Sequence, residues 1–141
     1  MLSFLSLGSN QGDRQANIAH ACELIEARCG RILRRSSDFF SAPWGYQSVH
    51  EYLNICLAID TSLSPLDLLH VTQQIERELG RTVKGVYQDR PIDIDILLYE
   101  GVECSGSELT IPHPHMLERD FVLVPLREIL LPSDPFLPLP L

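Results

Sequence analysis

Basic charge, cysteine motifs and long apolar runs are all scarce in this 141-residue sequence, and each shortage closes a class of function. With 11 Lys plus Arg against 19 Asp plus Glu, the formal net charge is -8. No basic stripe of the kind that follows a nucleic-acid backbone is evident, so nucleic acid is not the expected partner. An anionic ligand would have to be held by local cations rather than by the field of the whole protein. The apolar runs fall far short of the roughly 18 to 20 residues a membrane span requires, so no membrane partner is expected. The opening "LSFLSLGSNQGD" has neither a basic n-region nor an apolar core long enough for a signal peptide, which sets the expectation of a cytoplasmic protein. Cys22, Cys29, Cys56 and Cys104 show no C-x-x-C spacing, and two of them fall at apolar positions. Reduced, hydrophobic thiols are therefore expected rather than a disulfide framework or a zinc site. There is also no G-x-x-x-x-G-K-[ST] loop; "LGSNQGD" lacks both its lysine and its spacing, so a phosphate would not be held by a P-loop.

What is present is the composition of a folded domain, with 45% hydrophobic and 21% charged residues. The length suits one domain, residues 1–141, with a substantial core and no obligate protein partner. Leu2 to Leu7 reads as a strand that ends in a glycine-marked turn. From Asp13 to Cys29 the apolar positions Ile18, Cys22, Ile25 and Cys29 recur with the helical period, and Gly30 stops them. Arg31 to Phe40 is a weaker strand, and "SAPWGYQSVHE" is a loop because Pro43 and Gly45 break any ladder. In Tyr52 to Asp60, Leu53, Ile55, Leu57 and Ile59 share one face, and Tyr52, Asn54, Cys56 and Ala58 the other. A second helix is marked by Ser64 as cap, Pro65 at its first position and Asp67 in the first turn. Leu68, Thr72, Ile75 and Leu79 then continue to a glycine stop at Gly80. After the polar loop "RTVKGVYQD" come a strand from Pro91 to Tyr99, a proline-broken turn and a short final helix. The order strand, helix, strand, strand, helix, strand predicts an α+β ferredoxin-like two-layer sandwich, a four-stranded, mainly antiparallel sheet with helices on one face.

The segment "RPIDIDILLYE" sets two carboxylates into an apolar strand. Asp93 and Asp95 point to one side and Ile92, Ile94 and Ile96 to the other. At a separation of roughly 7 Å and an effective dielectric near 20, the two charges repel by about 2.5 kcal/mol. Two readings are open: the wet face of a sheet whose other face is the core, or a pair of hard ligands for a divalent cation, Mg²⁺ rather than zinc. Arg81, Arg90 and Arg119 are either surface residues or guanidinium partners for phosphate oxygens. His113 and His115 flank Pro114 in a rigid turn, better suited to orienting or contacting a ligand than to a two-histidine metal site. Tyr52 and Phe121 could stack on a planar heterocycle while Asn54 hydrogen-bonds its edge. Each ring could equally be core. Asn54, if buried, must be satisfied.

The blocks "LGSNQGDRQANI", "SSDFFSAPWG", "YLNICLAIDTSLSP", "DRPIDIDILLY" and "LTIPHPHMLERDFVLVPL" resemble, in order, those of the 6-hydroxymethyl-7,8-dihydropterin pyrophosphokinase family of folate biosynthesis. The resemblance implies transfer of the terminal diphosphate of ATP to the hydroxymethyl group of the pterin, leaving AMP. It implies two Mg²⁺ ions on Asp93 and Asp95. Arg81, Arg90, Arg119 and His113 would lie around the phosphates, and Tyr52, Asn54 and Phe121, with the backbone of Ser41, Ala42, Pro43 and Trp44, would form the pterin pocket. Two stretches depart from the family pattern: "KGVYQDR" is shorter than the usual approach to the acids, and Glu108 stands where an arginine is frequent.

Overall fold

The structure, a computed structural model, describes residues 1–44, 50–80 and 89–136. Strands β1 (Leu2–Ser9), β2 (Gly30–Arg35), β3 (Phe39–Ser41), β4 (Tyr52–Thr61) and β5 (Asp93–Tyr99) form one sheet. The order is β2-β4-β1-β5, with β3 also paired to β4 and every pairing antiparallel. A short hairpin, β6 (Cys104–Ser105) with β7 (Thr110–Ile111), follows β5. The single strand expected from Arg31 to Phe40 is thus two pieces. Between them the Ser36 hydroxyl accepts from the Cys56 N–H at 2.9 Å while the Ser36 N–H donates to the Cys56 carbonyl at 3.0 Å, so a side chain replaces one rung of the ladder.

Helix α1 (Arg14–Arg28) is capped by Asp13, whose carboxylate accepts from the Ala16 N–H. Helix α2 (Pro65–Glu78) starts as its residues dictate: Ser64 accepts from the Asp67 N–H at 3.2 Å and Pro65 opens the first turn. Gly80, at φ +103, takes the left-handed conformation that ends it. Both helices pack on one face of the sheet, where Ile18, Ala21, Ile25, Leu68 and Ile75 meet Leu5, Leu7, Leu53, Ile55, Leu57, Ile59, Ile94 and Ile96. The alternation predicted for β4 is observed, and all four cysteines are free thiols. Burial pushes the Cys56 thiol up to about 12, as befits a small apolar filler.

A third helix, α3 (Asp120–Ile129), covers part of the opposite face, with Val122, Leu126 and Ile129 against Phe4, Cys56, Ala58, Leu97 and Leu98. Leu97 is the extra residue of a bulge, since Leu5 pairs with Ile96 and Phe4 with Leu98. The chain beyond α3 is stapled to β2 by Arg34, which donates to both carboxylate oxygens of Asp134 at 2.9 and 3.0 Å and to the Ile129 carbonyl. Among the described residues no helix is long and apolar enough to cross a membrane.

Candidate active site

The half of the sheet face that α3 leaves uncovered is lined by small and polar side chains, and sheet register explains which. Gly8 on β1 lies opposite Asn54 on β4 and opposite Asp93 on β5; Ser6 lies opposite Cys56 and Asp95. Asn54, Gly8 and Asp93 therefore form one row across three strands, with Asp95 in the adjoining row on the same face. Neighbouring strands lie about 4.8 Å apart, so the amide and the carboxylate are separated by about 10 Å of backbone floor. Ala42, Trp44, Tyr52, Arg90, Arg119 and Phe121 wall this floor into a cleft.

Asn54 is 2% exposed and its orientation is set by its donors. Nδ2 donates to the Phe39 carbonyl at 3.0 Å and to the Ser41 hydroxyl at 2.9 Å; a carbonyl can only accept, so the amino end must face β3. Oδ1 is left directed toward Gly8, whose missing side chain makes room for it: a Cβ there would lie 3.3 Å from Oδ1 and 3.2 Å from the Tyr52 ring. The floor thus offers a fixed acceptor beside an aromatic ring.

On the other side, Arg90 is buried and its Nη1 lies 3.4 Å from Asp93 Oδ1. It is positioned by Asn10, which is 2% exposed. Asn10 Oδ1 accepts from the Arg90 N–H at 2.8 Å, its own N–H donates to the Arg90 carbonyl, and Nδ2 donates to Asp89 and to the His50 carbonyl. Below the sheet, the buried Glu76 of α2 accepts from the Ile94 N–H at 2.8 Å, fixing β5 between the two acids. Arg119 reaches the cleft from the N-terminus of α3, its guanidinium 4.1 Å from the Trp44 ring centroid and 5.7 Å from that of Phe121.

His113 stands behind the acids. Its N–H donates to the carbonyl of the bulged Leu97 at 3.0 Å, and Nδ1 accepts from the His115 N–H at 3.1 Å. Since a backbone N–H can only donate, Nδ1 is unprotonated and Nε2 carries the proton. Burial pushes this imidazole below the usual histidine value; Asp95 and Asp93 oppose the shift, and Arg119 and His115 reinforce it. A neutral ring with one free N–H donor is the result.

Of the residues singled out from sequence, Ala42, Trp44, Tyr52, Asn54, Arg90, Asp93, Asp95, Arg119 and Phe121 line one cleft. Ser41 lies just behind it, holding Asn54, while Pro43 does not line it. Arg81, with most of the loop after α2, lies outside the described residues. Glu108 pairs with His70 of α2 at 3.1 Å, an exposed contact between hairpin and helix. Sequence reading missed Gly8, Asn10 and Glu76. The glycine-marked turn expected after Leu7 does not begin at Gly8, which continues β1 with a φ that is not positive. The available signal was "GSN" following an apolar strand, a glycine and a small polar pair where a core strand would otherwise carry bulk.

Among the described residues no cluster of three or more acidic, histidine or cysteine side chains could cage a metal. Two carboxylates alone suit Mg²⁺, which keeps waters and takes its remaining ligands from substrate phosphates. Fold and cleft together define an α+β ligand-binding protein with an acid pair and buried arginines at one end and an aromatic, amide-edged pocket at the other. The chain belongs to the 7,8-dihydro-6-hydroxymethylpterin-pyrophosphokinase family, whose model matches residues 4–131. It is 50% identical over 130 residues to the 2-amino-4-hydroxy-6-hydroxymethyldihydropteridine pyrophosphokinase of Porphyromonas gingivalis, covering 89% of this chain and 88% of that one. The enzyme of the same name from Bacillus subtilis is 41% identical over 129 residues, covering 91% and 77%. Among solved structures, HPPK-DHPS in complex with substrates superposes with a TM-score of 0.69 at 15% identity, covering 91% of this chain and 40% of that one. Wild-type Plasmodium falciparum HPPK-DHPS gives 0.66 at 15% identity, covering 90% and 40%. At those identities the likeness bears on the fold alone, and the chain spans less than half of either solved protein.

Proposed function

We propose that residues 1–141 act as one domain that transfers the diphosphate of ATP to the hydroxymethyl group of 6-hydroxymethyl-7,8-dihydropterin, releasing AMP, in the cytoplasm and with no obligate protein partner. The observation that supports the reading is the row Asn54–Gly8–Asp93, in which an amide and a carboxylate share one floor. The pterin lies between Tyr52 and Phe121, its N–H edge donating to Asn54 Oδ1. Its hydroxymethyl group then extends toward Asp93 and Asp95. Those two carboxylates would hold two Mg²⁺ ions, whose chemistry there would be neutralisation of phosphate charge.

The protein's own contribution is placement and charge. Arg90, held at its backbone by Asn10, offers a guanidinium fork beside Asp93 to the phosphate oxygens, and Arg119 offers a second. His113 donates from Nε2. Arg81 completes the set of cations in this reading. Bringing hydroxyl and phosphorus within reach, and stabilising the charge that grows on the AMP oxygen as its bond lengthens, accounts for the rate without a covalent enzyme intermediate. The test is incubation of purified protein with ATP, Mg²⁺ and the hydroxymethyl dihydropterin, with products resolved by chromatography. AMP and pterin diphosphate should appear in equal amounts and vanish with EDTA. ADP as the nucleotide product, or turnover unaffected by EDTA, would refute the reading.

A further inference from the structure

We propose that the indole of Trp44 is a positioning residue for the reaction, holding the Arg119 guanidinium in the cleft with its N–H groups left for the transferring diphosphate. The inference rests on the reading of Arg119 as a phosphate partner and adds what places it there.

Arg119 is 9% exposed, and its Nε is buried without a hydrogen-bond partner among the described residues. Nor does any described carboxylate form an ion pair with it; Asp93 pairs with Arg90 at 3.4 Å. A buried cation without an anion is costly, and a long side chain with free rotamers would ordinarily turn to water or to Asp95. Here its Cζ rests 4.1 Å from the centroid of the Trp44 ring. An indole face is the strongest π partner for a cation, and contact through the flat side of the guanidinium engages none of its N–H groups. Stacking and phosphate binding are thus compatible, one using the face and the other the edge.

Trp44 is itself held from another side. The His115 ring lies 5.3 Å away, tilted by 45°, and the His115 N–H is tied to His113 Nδ1. Three residues before Trp44, the Ser41 hydroxyl accepts from Asn54. The indole therefore joins the segment that supports the pterin amide to the cation facing the acids.

The test uses four forms of the full chain: Trp44→Leu, Trp44→Phe, Arg119→Met and the Trp44→Leu/Arg119→Met double variant. The readouts are single-turnover chemistry at saturating ATP, Mg²⁺ and pterin, and calorimetric binding of pterin and of a non-hydrolysable ATP analogue. Trp44→Leu should slow the chemical step about ten- to thirtyfold, Trp44→Phe should recover most of the loss, and in the Arg119→Met background Trp44→Leu should cost less than about threefold more. Equal factors in both backgrounds, or a wild-type chemical step with merely weaker pterin binding, would overturn the proposal. Trp44 is the one tryptophan of the sequence, so its emission reports the contact without any substrate. Arg119→Met should change that emission in the ligand-free protein. Unchanged emission would refute the contact even if Trp44→Leu does not fold. A wild-type chemical step in Arg119→Met would instead remove Arg119 from the phosphate site and take this inference with it, an outcome distinct from failure of the contact alone.

Discussion

Replacing Gly8 with alanine separates stability from ligand binding more cleanly than any other change in this cleft. The residue sits in a central strand with φ outside the left-handed region, so a Cβ introduces no backbone strain. It would meet the Tyr52 ring at 3.2 Å and Asn54 Oδ1 at 3.3 Å, both tighter than ordinary contact. Two terms bear on the fold. Restricting the unfolded chain stabilises by about 0.4 to 1 kcal/mol, and overpacking costs about 1 to 3 kcal/mol when nothing can yield. Here the first neighbour is a side chain at the rim of an open cleft, so the Tyr52 ring can tilt, and net stability should change by less than about 1 kcal/mol. The strain is transferred to the ligand. A displaced platform and a methyl group over the acceptor should weaken pterin binding by about 1 to 2 kcal/mol, or about 5- to 30-fold. Binding of a non-hydrolysable ATP analogue should be nearly unchanged. Urea unfolding supplies the stability and calorimetry the two affinities. A stable Gly8→Ala protein with wild-type pterin affinity would refute the assignment of this floor to the heterocycle.

Asn54→Ala should weaken pterin binding at least tenfold more than binding of the ATP analogue, measured by calorimetry; equal losses would remove Asn54 from the pocket. Asp93→Asn and Asp95→Asn should each lower turnover by more than about a hundredfold with the unfolding midpoint little changed, and unchanged turnover at saturating Mg²⁺ in both would exclude them as metal ligands. Arg90→Lys should lower the single-turnover rate more than the affinity for the ATP analogue, since charge is kept while the fork is lost. A wild-type chemical step with only weaker binding would make Arg90 a purely ground-state contact. Asp134→Asn should cost about 2 to 3 kcal/mol of stability at neutral pH by leaving Arg34 without its carboxylate. Hydrogen bonding from Arg34 is the largest cause holding the Asp134 carboxyl below its ordinary 3.8. Its contribution is therefore complete above that value and lost as pH falls through the folded-state value. The difference between variant and wild type should accordingly shrink as pH is lowered below the ordinary aspartate value of 3.8, as followed by unfolding at a series of pH values.

Much of this architecture was legible in the residues, because it rests on local rules. Ser64-Pro65 starts α2 and Gly80 ends it as capping chemistry requires, and alternation in β4 assigns Leu53, Ile55, Leu57 and Ile59 to the core. The same alternation put Asp93 and Asp95 on one face. It could not say whether that face was merely wet or a site, since the answer depends on which strands flank β5 and where α3 stops. Gly8 was misread for the same reason: a glycine after an apolar strand signals a turn locally, whereas its actual role is set by Tyr52 and Asn54 on the neighbouring strand. Asn10 and Glu76 escaped because their work is backbone hydrogen bonding to residues 80 and 18 positions away. The split between β2 and β3 turns on one serine hydroxyl competing with the ladder, which propensity does not register.

The register of β1 carries a consequence for how such a site is kept. Because side chains alternate with a period of two, a one-residue slip of β1 against β4 would move Gly8 out of the row and place Leu7 or Ser9 between Asn54 and Asp93. It would also turn Leu5 and Leu7 away from Ile18, Ile25 and Ile75, and bring Phe4 out from under α3. The same pairing that buries the core on one face thus holds the amide and the carboxylate at a fixed separation on the other. The bulge at Leu97 shows where regularity is given up. On the paired side it lets Leu97 and Leu98 both contribute to the core under α3, and its carbonyl anchors His113. It lies beyond Asp95, so the acids stay in register with Gly8 and Ser6 while the strand end bends toward the histidine turn. Rigidity at the floor and adaptation at its rim come from one strand pair, and the cleft needs both: a fixed acceptor and acid pair below, with Arg119 at the wall and His113 behind the acids supplied by the chain that follows.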